Sequence, residues 1–164
     1  AWLIGAVGEP QAMTRTAIEQ RPDSEGSMRA VDADDIALIN VDLGTHQGGT
    51  VAAQLALSSV ARNGRGCWIE IYGSKGSLVL GSENQKDYVH GFSLTLQQGG
   101  EAPRNVQPDE DLRFAMTWSD GRVAPVARLQ SWWAQSIQKG HPMVPGLAEG
   151  LASQQACDKT LSSC

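Results

Sequence analysis

The chain lacks any apolar run approaching the roughly 18 residues that a membrane-spanning helix needs. Ala1-Trp2-Leu3-Ile4 is too short, and has no basic flank, to serve as a signal peptide. Basic residues are outnumbered, 13 Lys and Arg against 18 Asp and Glu, and the formal charge of -5 is spread along the sequence. Neither a nucleic acid nor an anionic membrane is therefore expected as a partner. Cysteine is scarce: Cys67, Cys157 and Cys164 are odd in number, form no CxxC and have no histidine pair nearby. That argues against both a disulfide framework and a zinc site, and a reducing cytoplasm is the expected compartment. Gly73-Ser74-Lys75-Gly76 lacks the spacing and the following helix of a phosphate loop. Ser58-Ser59 and Ser162-Ser163 lack the glycine-flanked elbow of a nucleophile.

What is present is a pattern of strands followed by helices. With 164 residues the chain is one domain's worth, able to bury roughly 70% of its unfolded surface. Two apolar runs rich in β-branched and aromatic residues, Cys67 to Tyr72 and Ser77 to Leu80, flank Gly-Ser-Lys-Gly and predict a β-hairpin. Alternation sends Trp68, Glu70 and Tyr72 to one face and Cys67, Ile69 and Ile71 to the other, and the glycines are expected to supply positive φ at the reversal. Ile36 to Leu43 and Thr50 to Val60, around the turn Thr45 to Gly49, predict a second hairpin.

Other segments fill in around these. Ala1 to Gly5 reads as the last turn of a helix begun upstream, Ala6 to Gln20 as extended, and Arg21 to Ser27 as a polar loop. Gly81 to Asp87 reads as loop, Val89 to Gln98 as a further strand, and Asp109 to Phe114 as a short helix. From Pro125, Val126, Leu129, Trp132, Trp133 and Ile137 recur at helical spacing up to Gly140, and a second helix is expected from Gly146 to about Leu161. Strands first and helices last predict an α+β domain, an open and mostly antiparallel sheet with helices on one face. The other face, with few charges from Thr50 to Leu57, is expected to be covered by a second subunit.

Most residues with chemical potential have a plainer explanation. His46, His90 and His141 are far apart with no second metal ligand at a useful spacing. Asp34-Asp35 and Asp109-Glu110-Asp111 are adjacent on the chain, so neighbours point apart; they are expected to solubilise a strand start and to cap a helix. Trp132-Trp133 suits helix-on-sheet packing together with an interface. Arg62, Asn63 and Arg65 differ, because three groups able to bind hydroxyls or an anion share one glycine-flanked loop. They are the candidate substrate-binding residues; no catalytic, cofactor-binding or metal-binding residue is assigned.

Three stretches, in order, resemble the C-terminal domain of the glucose-fructose oxidoreductase / inositol dehydrogenase / rhizopine-catabolism (GFO/IDH/MocA) family. These are Asp34-Asp35-Ile36-Ala37 with its following strand and Gly-Gly-Thr turn, Ile69-Glu70-Ile71-Tyr72-Gly73-Ser74-Lys75-Gly76-Ser77-Leu78, and Gly140-His141-Pro142-Met143-Val144-Pro145-Gly146-Leu147-Ala148-Glu149-Gly150-Leu151 running to Asp158. The resemblance implies that residues 1–164 form a single substrate-binding and oligomerisation domain. An N-terminal Rossmann domain that holds NAD or NADP would lie outside this chain.

The full enzyme would move hydride between a carbinol carbon of a sugar, polyol or related metabolite and the nicotinamide. The family's glycine-rich fingerprint, Glu-Lys-Pro lysine and Asp/His pair are absent from these residues, so the fragment is expected to be inactive alone and to bind no cofactor. The loop before the hairpin comes near the sugar in relatives; here it carries Arg65 where some have an aromatic, which suits an acidic or strongly hydroxylated substrate. A stand-alone α+β binding module and a non-catalytic dimerisation scaffold are the alternatives.

Overall fold

The computed structural model describes residues 4–83, 92–107, 109–110 and 119–162. The chain divides into two compact units: residues 1–62 with 142–164, and residues 63–141. The class is the expected one, α+β, with every strand pair among the described residues antiparallel and the helices last in sequence. Strand β1 (Gln11–Arg15), β4 (Ile36–Gly44) and β5 (Thr50–Ser58) form a three-stranded sheet in the first unit, with β4 in the middle. The β4-β5 hairpin closes through Thr45, whose Oγ1 accepts the Gly49 N–H at 2.9 Å while its carbonyl accepts the Gly48 N–H. That side-chain-assisted turn fixes the register in which Ile39 faces Leu55 and Val41 faces Ala53.

Arg21 to Ser27, expected as loop, holds the end of one strand and the turn of a small ribbon: β2 (Gln20–Pro22) pairs with β3 (Met28–Ala30). The signal is in turn chemistry and not in strand propensity. Asp23 Oδ1 accepts the N–H groups of Glu25 and Ser27, and Oδ2 takes the Arg29 guanidinium, so one carboxylate folds the turn. The same contacts, the Arg29 bond foremost, lower the Asp23 pKa.

The second unit is built on β6 (Cys67–Gly73), β7 (Gly76–Ser82), β8 (Ser93–Gln98) and β9 (Arg104–Asn105), adjacent in that order. Ile69, Leu80 and Leu94 align across three strands, as do Ile71, Leu78 and Leu96, giving an apolar face. The opposite face carries Trp68, Glu70, Tyr72, Ser77, Thr95 and Gln97. The hairpin is where the sequence put it, and of its two glycines Gly76 takes the expected positive φ while Gly73 does not. Gly76 (φ 157°) is required because a Cβ there would lie 2.0 Å from the Gln97 carbonyl oxygen of β8, while Gly73 is not left-handed.

Helix α1 (Val123–Lys139) ends where Gly140 turns left-handed at φ 65°. Pro125 sits in its first turn, as predicted. Its apolar stripe is not buried: Val126, Trp133 and Ile137 are 50%, 62% and 65% exposed, contrary to the expectation that Trp132-Trp133 packs a sheet. Helix α2 (Leu147–Ser162) belongs to the first unit and approaches β1, with Lys159 paired to Glu9. The expected features at Ala1 to Leu3, Val89 to Gly91 and Asp111 to Phe114, and at His90 and Cys164, lie outside the described residues.

Candidate functional site

The loop that carries the predicted residues is shaped by two left-handed positions. Asn63 has φ 55° and Gly66 has φ 98°. Asparagine is one of the few residues that tolerates this region, because its short amide can bond locally, so Asn63 has a backbone reason for its identity. Arg62 closes the first unit, whereas Asn63 and Arg65 belong to the second.

Arg65 is brought onto the polar face of β6. Its Nη1 donates to Glu70 Oε1 at 2.5 Å, and its guanidinium carbon lies 4.3 Å from the centre of the Trp68 ring. Trp68 in turn donates from Nε1 to the Arg65 carbonyl oxygen at 2.8 Å. Across the hairpin Trp68 is paired with Gly81, and an added Cβ at Gly81 would fall 2.2 Å from the indole. The ring therefore lies close to both Gly81 and the Arg65 guanidinium. The second carboxylate oxygen of Glu70 accepts the Tyr72 hydroxyl at 2.7 Å.

Electrostatics follow from these bonds. The Tyr72 hydroxyl, followed by Arg65, holds the Glu70 pKa below the usual carboxylate value, and Glu70 raises that of Tyr72. Glu70 is thus an anion, and Arg65 its counter-ion, through the neutral range. The Arg65 side chain remains 61% exposed, so a guanidinium with five N–H groups still presents donors outward. Chemically, the cluster can give and accept hydrogen bonds at one spot beside an aromatic surface.

Sequence reasoning found Arg65 but missed Glu70, Trp68 and Tyr72 as its partners; their alternation onto one face was the available signal. In the first unit, His46 and Glu149 line a hollow of about 550 Å³ with Val144, Ala148 and Ala152. Glu149 Oε2 accepts the Gly146 N–H at 2.7 Å at the start of α2, which lowers its pKa. No group of three metal-binding side chains occurs among the described residues.

Residues 1–164 match the oxidoreductase family, C-terminal alpha/beta domain, of the GFO/IDH/MocA group. The chain belongs to this family. It is 41% identical over 161 residues to an uncharacterized oxidoreductase of Synechocystis, covering 97% of this chain and 42% of that protein. Its fold is similar to that of an NAD binding oxidoreductase from Klebsiella pneumoniae, with a TM-score of 0.73 at 19% identity over 96% of this chain and 43% of the other. The chain thus spans less than half the length of these relatives.

Among the described residues, neither helix start suits the pyrophosphate of a dinucleotide. A pyrophosphate is favoured by open N–H groups at a helix N-terminus. At α2 the Glu149 carboxylate lies in the first turn and accepts the Gly146 N–H, and ahead of α1 the Arg122 guanidinium, with the Arg122 N–H, bonds Asp120 and lowers the Asp120 pKa to about 2. No helix among the described residues is long and apolar enough to cross a membrane.

Proposed function

We propose that this domain is the substrate-binding and oligomerisation part of a cytoplasmic NAD(P)-dependent oxidoreductase acting on a sugar, polyol or related hydroxylated metabolite. In this reading the two units serve together as one C-terminal domain, and a preceding Rossmann domain supplies the NAD or NADP site. The observation that carries the proposal is the family match over the whole chain, with more than half of each relative's length lying beyond it. Arg62, Asn63 and Arg65 are the substrate-facing residues, with Arg65 the strongest because its guanidinium is held in place and still exposed.

The test is Arg65→Ala in the complete protein. The expected result is a KM raised at least about tenfold with a smaller change in kcat, as for loss of one charge-assisted contact. An unchanged KM overturns the assignment.

The oligomer is proposed to form between two copies through the first unit's sheet. Leu55 and Leu57 are 42% and 56% exposed on the same face as Ile39 and Ala37, apolar surface that one copy leaves uncovered. A lysine at Leu55 is expected to convert the complete protein from dimer to monomer in light scattering, and a mass unchanged by Leu55→Lys removes this face from consideration.

A further inference from the structure

We propose that Glu70, Trp68 and Tyr72 are positioning residues that make Arg65 a charge-compensated hydrogen-bond donor, so that the Arg65 position favours an uncharged polyhydroxylated ligand over its carboxylate counterpart. The inference builds on the reading of Arg65 as a substrate contact and narrows the substrate class. A free guanidinium grips carboxylates best, in two parallel bonds. Here the cation is already bonded to Glu70 at 2.5 Å and stacked 4.3 Å from the Trp68 centre. A carboxylate approaching Arg65 meets the Glu70 charge at nearly the same range, so the attraction is largely cancelled while its own desolvation cost remains.

A hydroxyl meets the opposite situation. Its oxygen can accept from Arg65 and its hydrogen can go to Glu70, and neither step requires a net charge. The rest of the face agrees: the positions aligned with Glu70 and Tyr72 across β7 and β8 are Val79, Thr95, Ser77 and Gln97, and Asn105 follows on β9. None carries charge. Trp68 cannot swing away, since its Nε1 bond to the Arg65 carbonyl and its seat on Gly81 hold the ring. The Tyr72 hydroxyl holds the second Glu70 oxygen.

The experiment uses the complete protein with NAD and NADP each supplied. Its substrates are matched pairs of neutral and acidic compounds: glucose and glucuronate, and galactose and galacturonate. Wild type is expected to favour the neutral members in kcat/KM. Glu70→Gln is expected to move the neutral-to-acidic ratio at least about tenfold toward the acids, through KM, and Glu70→Asp to restore much of it. Tyr72→Phe is expected to shift the ratio in the same direction by less, and it decides the matter where Glu70→Gln does not fold.

Wild-type preference for the acids, or an unmoved ratio in these variants, overturns the selectivity proposal. Failure of the underlying reading has a different signature: wild type turns over no compound of either kind, or Arg65→Ala leaves every KM unchanged.

Discussion

Gly66→Ala is expected to cost roughly 2–4 kcal/mol of domain stability, the sum of left-handed strain and a backbone collision. Gly66 has φ 98°, and a Cβ there would sit 2.2 Å from the Ser82 carbonyl oxygen and 2.9 Å from the Glu83 Cα. Neither contact is with a side chain that could rotate away. Relief requires parting the end of β7 from the start of β6, where Cys67 pairs with Ser82, itself 3% exposed. Because the displaced strand carries Trp68, the Arg65 stack is expected to loosen with it. Thermal unfolding of the complete protein should show the domain's midpoint lowered by roughly 5–15 °C. A shift under about 2 °C would mean that the loop accommodates alanine.

Asp35→Ala is the second large effect expected, a midpoint lowered by roughly 5–10 °C. The Asp35 side chain is 5% exposed and bonds Ile18, Arg21 and Ser59. Its Oδ2 accepts the Ile18 N–H at 2.9 Å, while Oδ1 takes Arg21 at 2.5 Å and the Ser59 hydroxyl at 3.3 Å. Its backbone N–H bonds Arg15 and its carbonyl accepts from Ser59. Removing the carboxylate leaves the Ile18 N–H and the guanidinium without this acceptor. The Ile18 bond foremost, with help from Arg21 and Ser59 and against the opposing effect of burial, lowers the Asp35 pKa from 3.8.

A carboxylate lowered on folding stabilises the native state above its unfolded pKa of about 4, and that stabilisation is lost as pH falls through the lower folded value. The stability gap between wild type and Asp35→Asn should therefore be full at pH 7 and shrink in acid. A gap independent of pH would show that the carboxylate's charge is not what binds these segments together.

Several elements could be read before any coordinates. Alternation alone placed Trp68, Glu70 and Tyr72 on one face, Pro125 and Gly140 bracketed α1, and Thr45 to Gly49 marked the β4-β5 turn. These features are local: each depends on backbone geometry within a few residues. The small β2-β3 ribbon escaped because strands of three residues carry no periodicity, and its turn is built by one aspartate.

The resemblance to the GFO/IDH/MocA family was also present in the sequence, since three stretches in order are a property of the chain itself. Asp35 was not legible as a hub. It looked like one of an acidic pair easing a strand start, whereas its partners Ile18 and Ser59 are 17 and 24 residues away. Likewise the sequence offered Arg65 as a receptor for hydroxyls or an anion in an exposed loop. Only the folded loop, bent back by Asn63 and Gly66, sets that guanidinium over Trp68 and against Glu70.

Residue order determined the α+β class, the family and the placement of strands and helices, because those follow from local periodicity and chain-long pattern. The tertiary structure decided which charge is neutralised, which carboxylate is buried and why Gly76 and Gly81 must be glycine, because each depends on atoms from another strand arriving within contact distance.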